Sequence, residues 1–374
     1  MPDIVVAALS ARALAAAARR AGLEPLVIDL FGDEDTRTLA AEMVPLRRRD
    51  GLAIDAADLI EKLEIHALAS WPLVLGSGFE AMPDLVDRLA ARWRLAGNGG
   101  AVLRQVKDPF AFSRLLASLD IAHPRVFADQ APAGMEALEK AIGASGGGHI
   151  HPAQRVQANG HYLQERIEGR TISALFLANG AEARLLAFSG QWCAPDAASP
   201  YRYGGAAGPI AVPLSVEHGV AKALDRLAGA TGLLGLASAD LILSRDGWSL
   251  IELNPRPGAT LDIFDRPPLP PLLHLHLDAC EGRLPDLAPL RPGPEFGARA
   301  AGILYATAEC EMRLDSLPPH TADRPAFGTR LHPGEPVCTV FGEGHDAEEA
   351  RGVMLLRTDA LWKAMQRASL GATK

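Results

Sequence analysis

The sequence predicts a mixed fold, α/β at its start and α+β beyond, and two patterns carry that reading. Through the first hundred residues short apolar runs alternate with helical patterns, as in a parallel sheet with crossover helices. Farther on, the runs are joined by tight turns at Asn179-Gly180 and Asp246-Gly247, as in antiparallel hairpins. A chain of 374 residues is too long for one ordinary core, so two or three packed units are expected.

The elements follow in order. "DIVVAAL" is a short apolar strand, and "SARALAAAARRAG" is a helix with Ser10 as its expected N-cap and Gly22 as its expected C-cap. "PLVIDL" completes a βαβ unit. "WPLVLGSG" is a third buried strand, and Pro83 opens the helix "MPDLVDRLAARW". The loops "FGDEDT" and "GSGFE" lie beyond strand ends, where open α/β sheets bind ligands; ordinary turns are the competing reading. A Gly/Asn turn near residue 100 marks a boundary and leads into a helix that exits before Pro124. "GMEALEKAIGASGGGHI" is a short helix or strand followed by a glycine-rich loop. "HYLQERIEGRTISALFLANGAEARLLAFSG" is three strands, with a type I′ turn expected at Asn179-Gly180. "APDAASPYRYGGAAGP" reads as loop. The helix "SVEHGVAKALDRLAGATG" precedes the hairpin "ASADLILSRDGWSLIELNP". The proline-rich tail gives one helix at "PLLHLHLDACEG", then short strands with tight turns, then a closing helix at "DAEEARGVMLLRTDALWKAM".

Composition narrows the function classes. Hydrophobic residues at 48% and charged residues at 22% fit a soluble globular protein. The net charge is -8, and the only basic triplet, Arg47-Arg48-Arg49, reads as a solvated face, so no nucleic-acid partner is expected. Cys193, Cys280, Cys310 and Cys338 are widely spaced without a C-x-x-C motif, which points to reduced thiols. The start lacks the pattern of a secretory signal, and no run reaches the ~20 apolar residues of a membrane span. The expectation is a cytoplasmic protein without a membrane partner.

The chemistry concentrates in the hairpin. A three-residue loop, Arg245-Asp246-Gly247, pairs Ser244 with Trp248, Ile242 with Leu250 and Asp240 with Glu252. Asn254 then shares their face, while Leu241, Leu243, Ile251 and Leu253 form a core face. Adjacent carboxylates repel unless a cation lies between them. Two carboxylates and an amide oxygen are hard ligands that suit Mg²⁺. The competing reading is one solvated polar face. A two-residue turn would put Asp240 on the opposite face, so the inference depends on the turn. Walker A and G-x-G-x-x-G motifs are absent. Lys140 with Gly143 and Gly146, Gly147 and Gly148 could close on phosphate oxygens, or be a surface turn. Lys107 stands alone, and in "YLQERIEG" Gln164 or Glu165 could face an adenine amino group, with backbone near Arg166 and Ile167 reading the ring edge.

Taken in order over residues 98–258, these pieces resemble the ATP-grasp superfamily. "IDLFGDEDTR", "GNGGAVLRQVKDP" and "ADRPAFGTRLHPGEPVCTVFG" further resemble predicted ATP-dependent carboligases with a biotin-carboxylase-like C-terminal segment, associated with methanofuran- and tetrahydromethanopterin-type C1-cofactor pathways. The resemblance implies an ATP-grasp fold in three parts. These are a Rossmann-like pre-ATP-grasp domain at 1–100, an ATP-grasp domain at 101–290 with a lid at about 110–170, and a small β-rich segment at 291–374. It implies ATP and Mg²⁺. Asp240, Glu252 and Asn254 match the metal ligands, and Lys107 and Lys140 the phosphate lysines. Gly146 to Gly148 match the phosphate-covering loop, Gln164 to Ile167 the adenine hinge, and Arg256 a basic residue facing the reacting centre. Two positions depart from the pattern. Gly169 is followed by Arg170 and Thr171, so Glu168 or Thr171 must serve the ribose. Ser238 stands where many ligases have an Arg before the metal Asp, leaving Arg184 or Arg202 as alternatives.

The implied reaction joins a small-molecule carboxylate to an amine through an acyl phosphate, releasing ADP and phosphate. The rival readings are a biotin-dependent carboxylase and a non-catalytic ATP-binding regulator. A homodimer is compatible with all three. No protein nucleophile is required, so Cys193 and Ser173 are expected to be dispensable, and the H-x-H pair His149 and His151 is expected not to bind metal.

Overall fold

The computed structural model describes residues 1–47 and 53–371. Arg47 is exposed, 3.7 Å from Asp58; Arg48 and Arg49 of the expected basic face lie outside the described residues.

The chain opens with β1 (Ile4–Ala7), α1 (Arg12–Arg20), β2 (Pro25–Asp29), α2 (Glu34–Leu39), β3 (Glu42–Pro45), α3 (Ala56–His66), β4 (Pro72–Leu75), α4 (Pro83–Ala90) and β5 (Arg94–Leu95). The five strands are parallel in the order β3-β2-β1-β4-β5. β1 and β2 are buried along their whole length, which is why they read as continuous apolar runs. β3 and β5 are too short, at four and two residues, to show a pattern in sequence. Ser10 does not cap α1. The cap residue is Ala11, whose N–H donates to Asp29 at 3.1 Å, while Ser10 Oγ donates to Asp323 at 3.1 Å. Gly22 takes the left-handed conformation just past the helix end, at φ +74°. In "GSGFE", a Cβ at Gly76 would lie 2.8 Å from Ala8 Cβ, and one at Gly78 2.6 Å from Leu9 Cγ. Glycine there lets the loops after β1 and β4 touch.

α5 (Gly100–Lys107) and α6 (Pro109–Ser118) replace the single helix expected. Asp108 ends the first and caps the second, accepting from Phe110 N–H and Ala111 N–H at 3.0 and 2.7 Å. β6 (Val126–Phe127), β7 (Ala137–Ala141), β8 (His151–Pro152) and β9 (His161–Glu165) form a four-stranded sheet in the order β6-β9-β7-β8.

The remaining elements are β10 (Arg170–Asn179), β11 (Ala183–Cys193), β12 (Tyr203–Gly208), α7 (Leu214–Thr231), β13 (Leu234–Ser244), β14 (Gly247–Asn254), α8 (Leu261–Phe264), α9 (Leu272–Cys280), β15 (Ala298–Tyr305), β16 (Cys310–Glu311), β17 (Thr321–Ala322), β18 (Arg330–Leu331), β19 (Pro336–Gly344) and α10 (Ala347–Gly371). An eight-stranded sheet runs β14-β13-β10-β11-β12-β15-β19-β17, so strands of the tail extend the same sheet. β12, "YGGAAG", lies inside that sheet although its sequence reads as loop. Its small residues allow close packing: a Cβ at Gly205 would lie 2.4 Å from Ala301 O. The Asn179-Gly180 turn is not type I′. Ala178 pairs with Ala183 across a four-residue loop, and Asn179 Oδ1 accepts from Ala181 and Glu182 N–H at 3.1 and 2.8 Å.

One face of the large sheet packs on α7 through Val220, Leu224 and Leu227. The other packs on α8, α9 and the N-terminal unit, with Phe264 and Leu272 fully buried. A buried guanidinium ties three segments together. Arg12 is hydrogen-bonded to both carboxylate oxygens of Asp262, and its Nη2 also donates to Asp323 at 3.0 Å. Asp35, in "FGDEDT", accepts from Asp323 and Arg324 N–H, each at 2.9 Å. That loop is therefore a latch to the tail. Among the described residues no helix is long and apolar enough to cross a membrane.

Candidate active site

The hairpin reaches the expected arrangement by a different route. Its loop has two residues, not three: Ser244 pairs with Gly247 and Leu243 with Trp248. Alone, that turn would have sent Asp240 to the wrong face. A β-bulge corrects the register, because Leu241 pairs with Leu250 but Asp240 pairs with Glu252, leaving Ile251 as the extra residue. Backbone groups there are satisfied outside the ladder. Leu250 N–H donates to Ala122 O at 2.8 Å, and Ile251 C=O accepts from Gln164 Nε2 at 3.3 Å. The bulge also exchanges two side chains relative to the sequence expectation. Leu250 is buried and packs in the core behind the cleft wall, and Ile251 is half-buried on the cleft rather than in the core.

Asp240, Glu252 and Asn254 stand together. Lys107, carried in by the last turn of α5, donates from Nζ to Glu252 Oε1 at 2.6 Å and to Asn254 Oδ1 at 2.9 Å. Asn254 Nδ2 donates to Asp240 Oδ2 at 3.1 Å, and Gln191 Nε2 to Asp240 Oδ1 at 3.0 Å. Burial and then repulsion by Glu252 push the Asp240 carboxyl above its ordinary range. Burial would raise Glu252 too, but Lys107 and Lys140 outweigh it and hold that carboxyl low. Among the described residues no three His, Cys, Asp or Glu side chains gather as a metal cluster. The donor set is instead two carboxylates and one amide oxygen, and the ammonium of Lys107 already sits as a cation between Glu252 and Asn254. This set fits a hard divalent ion whose remaining ligands come from elsewhere.

Between β14 and the four-stranded sheet lies an open cleft, lined in part by Lys107, Lys140, His149, Tyr162, Gln164 and Ile251. Lys140 Nζ donates to Gln164 Oε1 at 2.6 Å, and burial lowers its pKa. Burial lowers His149 as well. Strand alternation sends Gln164 inward and Glu165 outward, where Arg125 holds the Glu165 carboxylate at 3.0 and 2.9 Å. Arg166 is exposed and paired with Glu136; Ile167 is half-buried and Glu168 exposed. Of the expected adenine hinge, then, only the Gln164 side chain faces the cleft. Gly146, Gly147 and Gly148 lie outside its lining and are clamped onto the β11–β12 connection. Gly146 O accepts from Tyr203 N–H at 2.8 Å, and Gly148 O from Ser199 Oγ at 3.3 Å.

Arg256 leaves the hairpin and meets Glu80 of "GSGFE", with Nε donating to Oε1 at 2.8 Å. Asn98 fixes the turn beside it, donating to Pro255 O at 2.9 Å and to Leu234 O at 2.8 Å. Arg202 turns toward the tail instead. It pairs with Asp196 at 2.6 Å and stacks on Tyr305 at 3.7 Å. Arg184 sits at the far end of β11 from Gln191. Sequence reasoning missed Asn98 and Gln191 as members of the site, and marked Glu80 only as part of the loop "GSGFE". For Glu80 the usable signal was its place in a loop beyond a strand end.

Residues 108–260, which hold the hairpin and Lys140 and begin one residue after Lys107, match the family described as ATP-grasp domain. ATP-grasp enzymes are ATP-dependent ligases that use ATP with Mg²⁺, and this chain has their fold. Phosphoribosylamine–glycine ligase from Thermotoga maritima superposes with a TM-score of 0.68 at 16% identity, over 95% of this chain and 96% of that one. The biotin carboxylase domain of the Hydrogenobacter thermophilus 2-oxoglutarate carboxylase, a dimer solved with magnesium ADP, ADP and bicarbonate, gives 0.68 at 12%, over 91% and 86%. Rhizobium etli pyruvate carboxylase gives 0.70 at 14% over 96% of this chain, which spans only 39% of that longer protein. No curated protein matches the chain by sequence.

Proposed function

We propose that this protein is an ATP-dependent carboxylate–amine ligase that works in the cytoplasm through an acyl phosphate. Its substrates are a small cofactor precursor or an amino acid, in keeping with the resemblance to C1-cofactor carboligases. The observation that carries this reading is the Asp240–Glu252–Asn254 set gathered at one end of the hairpin, with Glu252 lining a cleft that also holds Lys107 and Lys140. Asp240, Glu252 and Asn254 would hold Mg²⁺, which would offset the negative charge that develops during phosphoryl transfer. Lys107 leaves the Glu252–Asn254 notch and, with Lys140, faces the phosphates as a point charge. Gln164 contacts the adenine side of the nucleotide. The Gly146–Gly148 loop closes over the phosphates and keeps water from the acyl phosphate. Arg256 faces the acyl phosphate. Residues 1–100 supply one wall of the substrate site, 101–290 bind the nucleotide, and 291–374 brace the sheet.

The test is ADP release with Mg-ATP against a panel of carboxylates and amines, with bicarbonate and biotin as a second arm. Amine-dependent turnover is the expected result. Turnover that requires biotin would replace this reading with a carboxylase, and nucleotide binding without turnover in any pairing would replace it with a regulator. Glu252→Gln is expected to abolish turnover with the melting temperature retained; surviving activity would overturn the metal assignment.

A further inference from the structure

We propose that Glu80 is a positioning residue for Arg256, so that a carboxylate from the N-terminal unit completes the reacting centre across the seam between the two sheets. The inference rests on the reading of Arg256 given above. Glu80 ends the loop after β4, and its side chain is only 3% exposed. Both its oxygens are engaged: Oε1 accepts from Arg256 Nε at 2.8 Å, and Oε2 accepts from Gly78 N–H at 2.7 Å. A carboxylate held at both oxygens cannot rotate, so it fixes the direction of the guanidinium.

The other side of Arg256 is shaped to match. A Cβ at Gly258 would lie 2.4 Å from Arg256 Nη1, so glycine leaves the guanidinium its space. Asn98 pins the Pro255 carbonyl one residue before. The bond to Glu80 uses Nε, and among the described residues the two terminal nitrogens make no hydrogen bond. The arginine is therefore anchored at its inner nitrogen and presents its outer pair to a ligand. Such a fork suits a tetrahedral oxyanion such as a phosphoryl group. Glu80 itself does not serve as a base. Burial would raise its carboxyl, but Arg256 and Lys107 outweigh that and keep it ionised and acceptor-only.

The experiment measures two affinities by calorimetry, MgADP alone and then inorganic phosphate on the MgADP-saturated protein. It uses wild type, Glu80→Gln, Glu80→Ala, Arg256→Ala and the Glu80→Gln/Arg256→Ala double variant. MgADP affinity is expected to stay within about twofold in all of them. Phosphate affinity is expected to fall at least about tenfold in Arg256→Ala and about five- to tenfold in either Glu80 variant. The double variant should bind phosphate no worse than Arg256→Ala, because a residue that acts through another adds nothing once that partner is gone. A lost side chain with a purely structural role would not give that non-additivity. Wild-type phosphate affinity in Glu80→Gln, or an independent further loss in the double variant, would overturn the proposal while leaving the ligase reading intact. Wild-type phosphate affinity in Arg256→Ala, or failure of the wild type to bind MgADP, would overturn the reading of the site and the proposal with it. If Glu80→Ala does not fold, the isosteric Glu80→Gln decides.

Discussion

Lowering the pH from 7 to 4.5 should remove about 2.5 kcal/mol of stability through one side chain, His276. This residue on α9 is 1% exposed and joins the ATP-grasp sheet to the N-terminal unit. Its Nδ1 accepts from Leu236 N–H at 2.9 Å, and its Nε2 lies 3.0 Å from Ala96 O. That pattern requires the neutral ring with its proton on Nε2. A second proton on Nδ1 would face the Leu236 donor directly, with no space to turn away, since a Cβ at Gly235 would lie 2.5 Å from the ring. Burial depresses the pKa to about 4, from an ordinary 6.5. A base with a depressed folded pKa binds protons first in the unfolded chain, so its stabilising effect is lost as pH falls from 6.5 toward 4. Two pH units in that window, at about 1.4 kcal/mol each and reduced slightly because the folded ring is already partly protonated at pH 4.5, give the figure above. The assay is urea denaturation of wild type and His276→Gln at both pH values, because the difference cancels the other titrating groups. The stability gap should narrow by about 2.5 kcal/mol at pH 4.5. A gap constant to about 0.5 kcal/mol would refute the neutral buried ring.

The closed glycine loop gives a paired prediction: Gly147→Ala should be far more disruptive than Gly146→Ala. Both have positive φ, but a Cβ at Gly147 meets Tyr201 O at 2.1 Å whereas one at Gly146 meets nothing within 4 Å. Loss of MgADP affinity measured by calorimetry should follow that order, and equal effects would deny that the loop closes on the β11–β12 connection. Lys107→Ala should lower the melting temperature without metal, since Glu252 loses its partner ammonium beside Asp240, and added MgCl₂ should then stabilise the variant more than wild type. An equal magnesium shift in both proteins would argue against a shared cation site. Arg12→Leu should cost about 3–5 kcal/mol in chemical denaturation, because Asp262 and Asp323 would be left buried without their cation. A cost below about 1 kcal/mol would mean that the three segments are held together by other contacts.

Much of the fold was readable because its strands and helices differ in period. β1, β2 and β4 are runs buried on both faces, and α7 ends at a left-handed glycine, Gly232 at φ +69°. β12 was not readable, because its Gly and Ala residues are set by the close approach of β11 and β15, not by any strand preference of their own. Ser10 looked like a cap, but Asp29 fills that place from the neighbouring strand while Ser10 turns to Asp323, more than three hundred residues away in sequence.

The candidate site divides the same way. Residue types and spacing put Asp240, Glu252 and Asn254 on one hairpin, because acid, amide and turn residues are local signals, whereas Lys107 and Lys140 were singled out only by the resemblance carried over residues 98–258. Tertiary structure decided how they meet. The two-residue turn favoured the wrong face, and only the bulge at Ile251, with its backbone taken up by Ala122 and Gln164, restored Asp240 to Glu252. It likewise decided that Glu165 and Arg166 spend their charges on Arg125 and Glu136, and that Arg256 is anchored by Glu80 from the loop after β4. A charge's partner depends on which surfaces pack together, and one chain segment carries no record of the surface it will face.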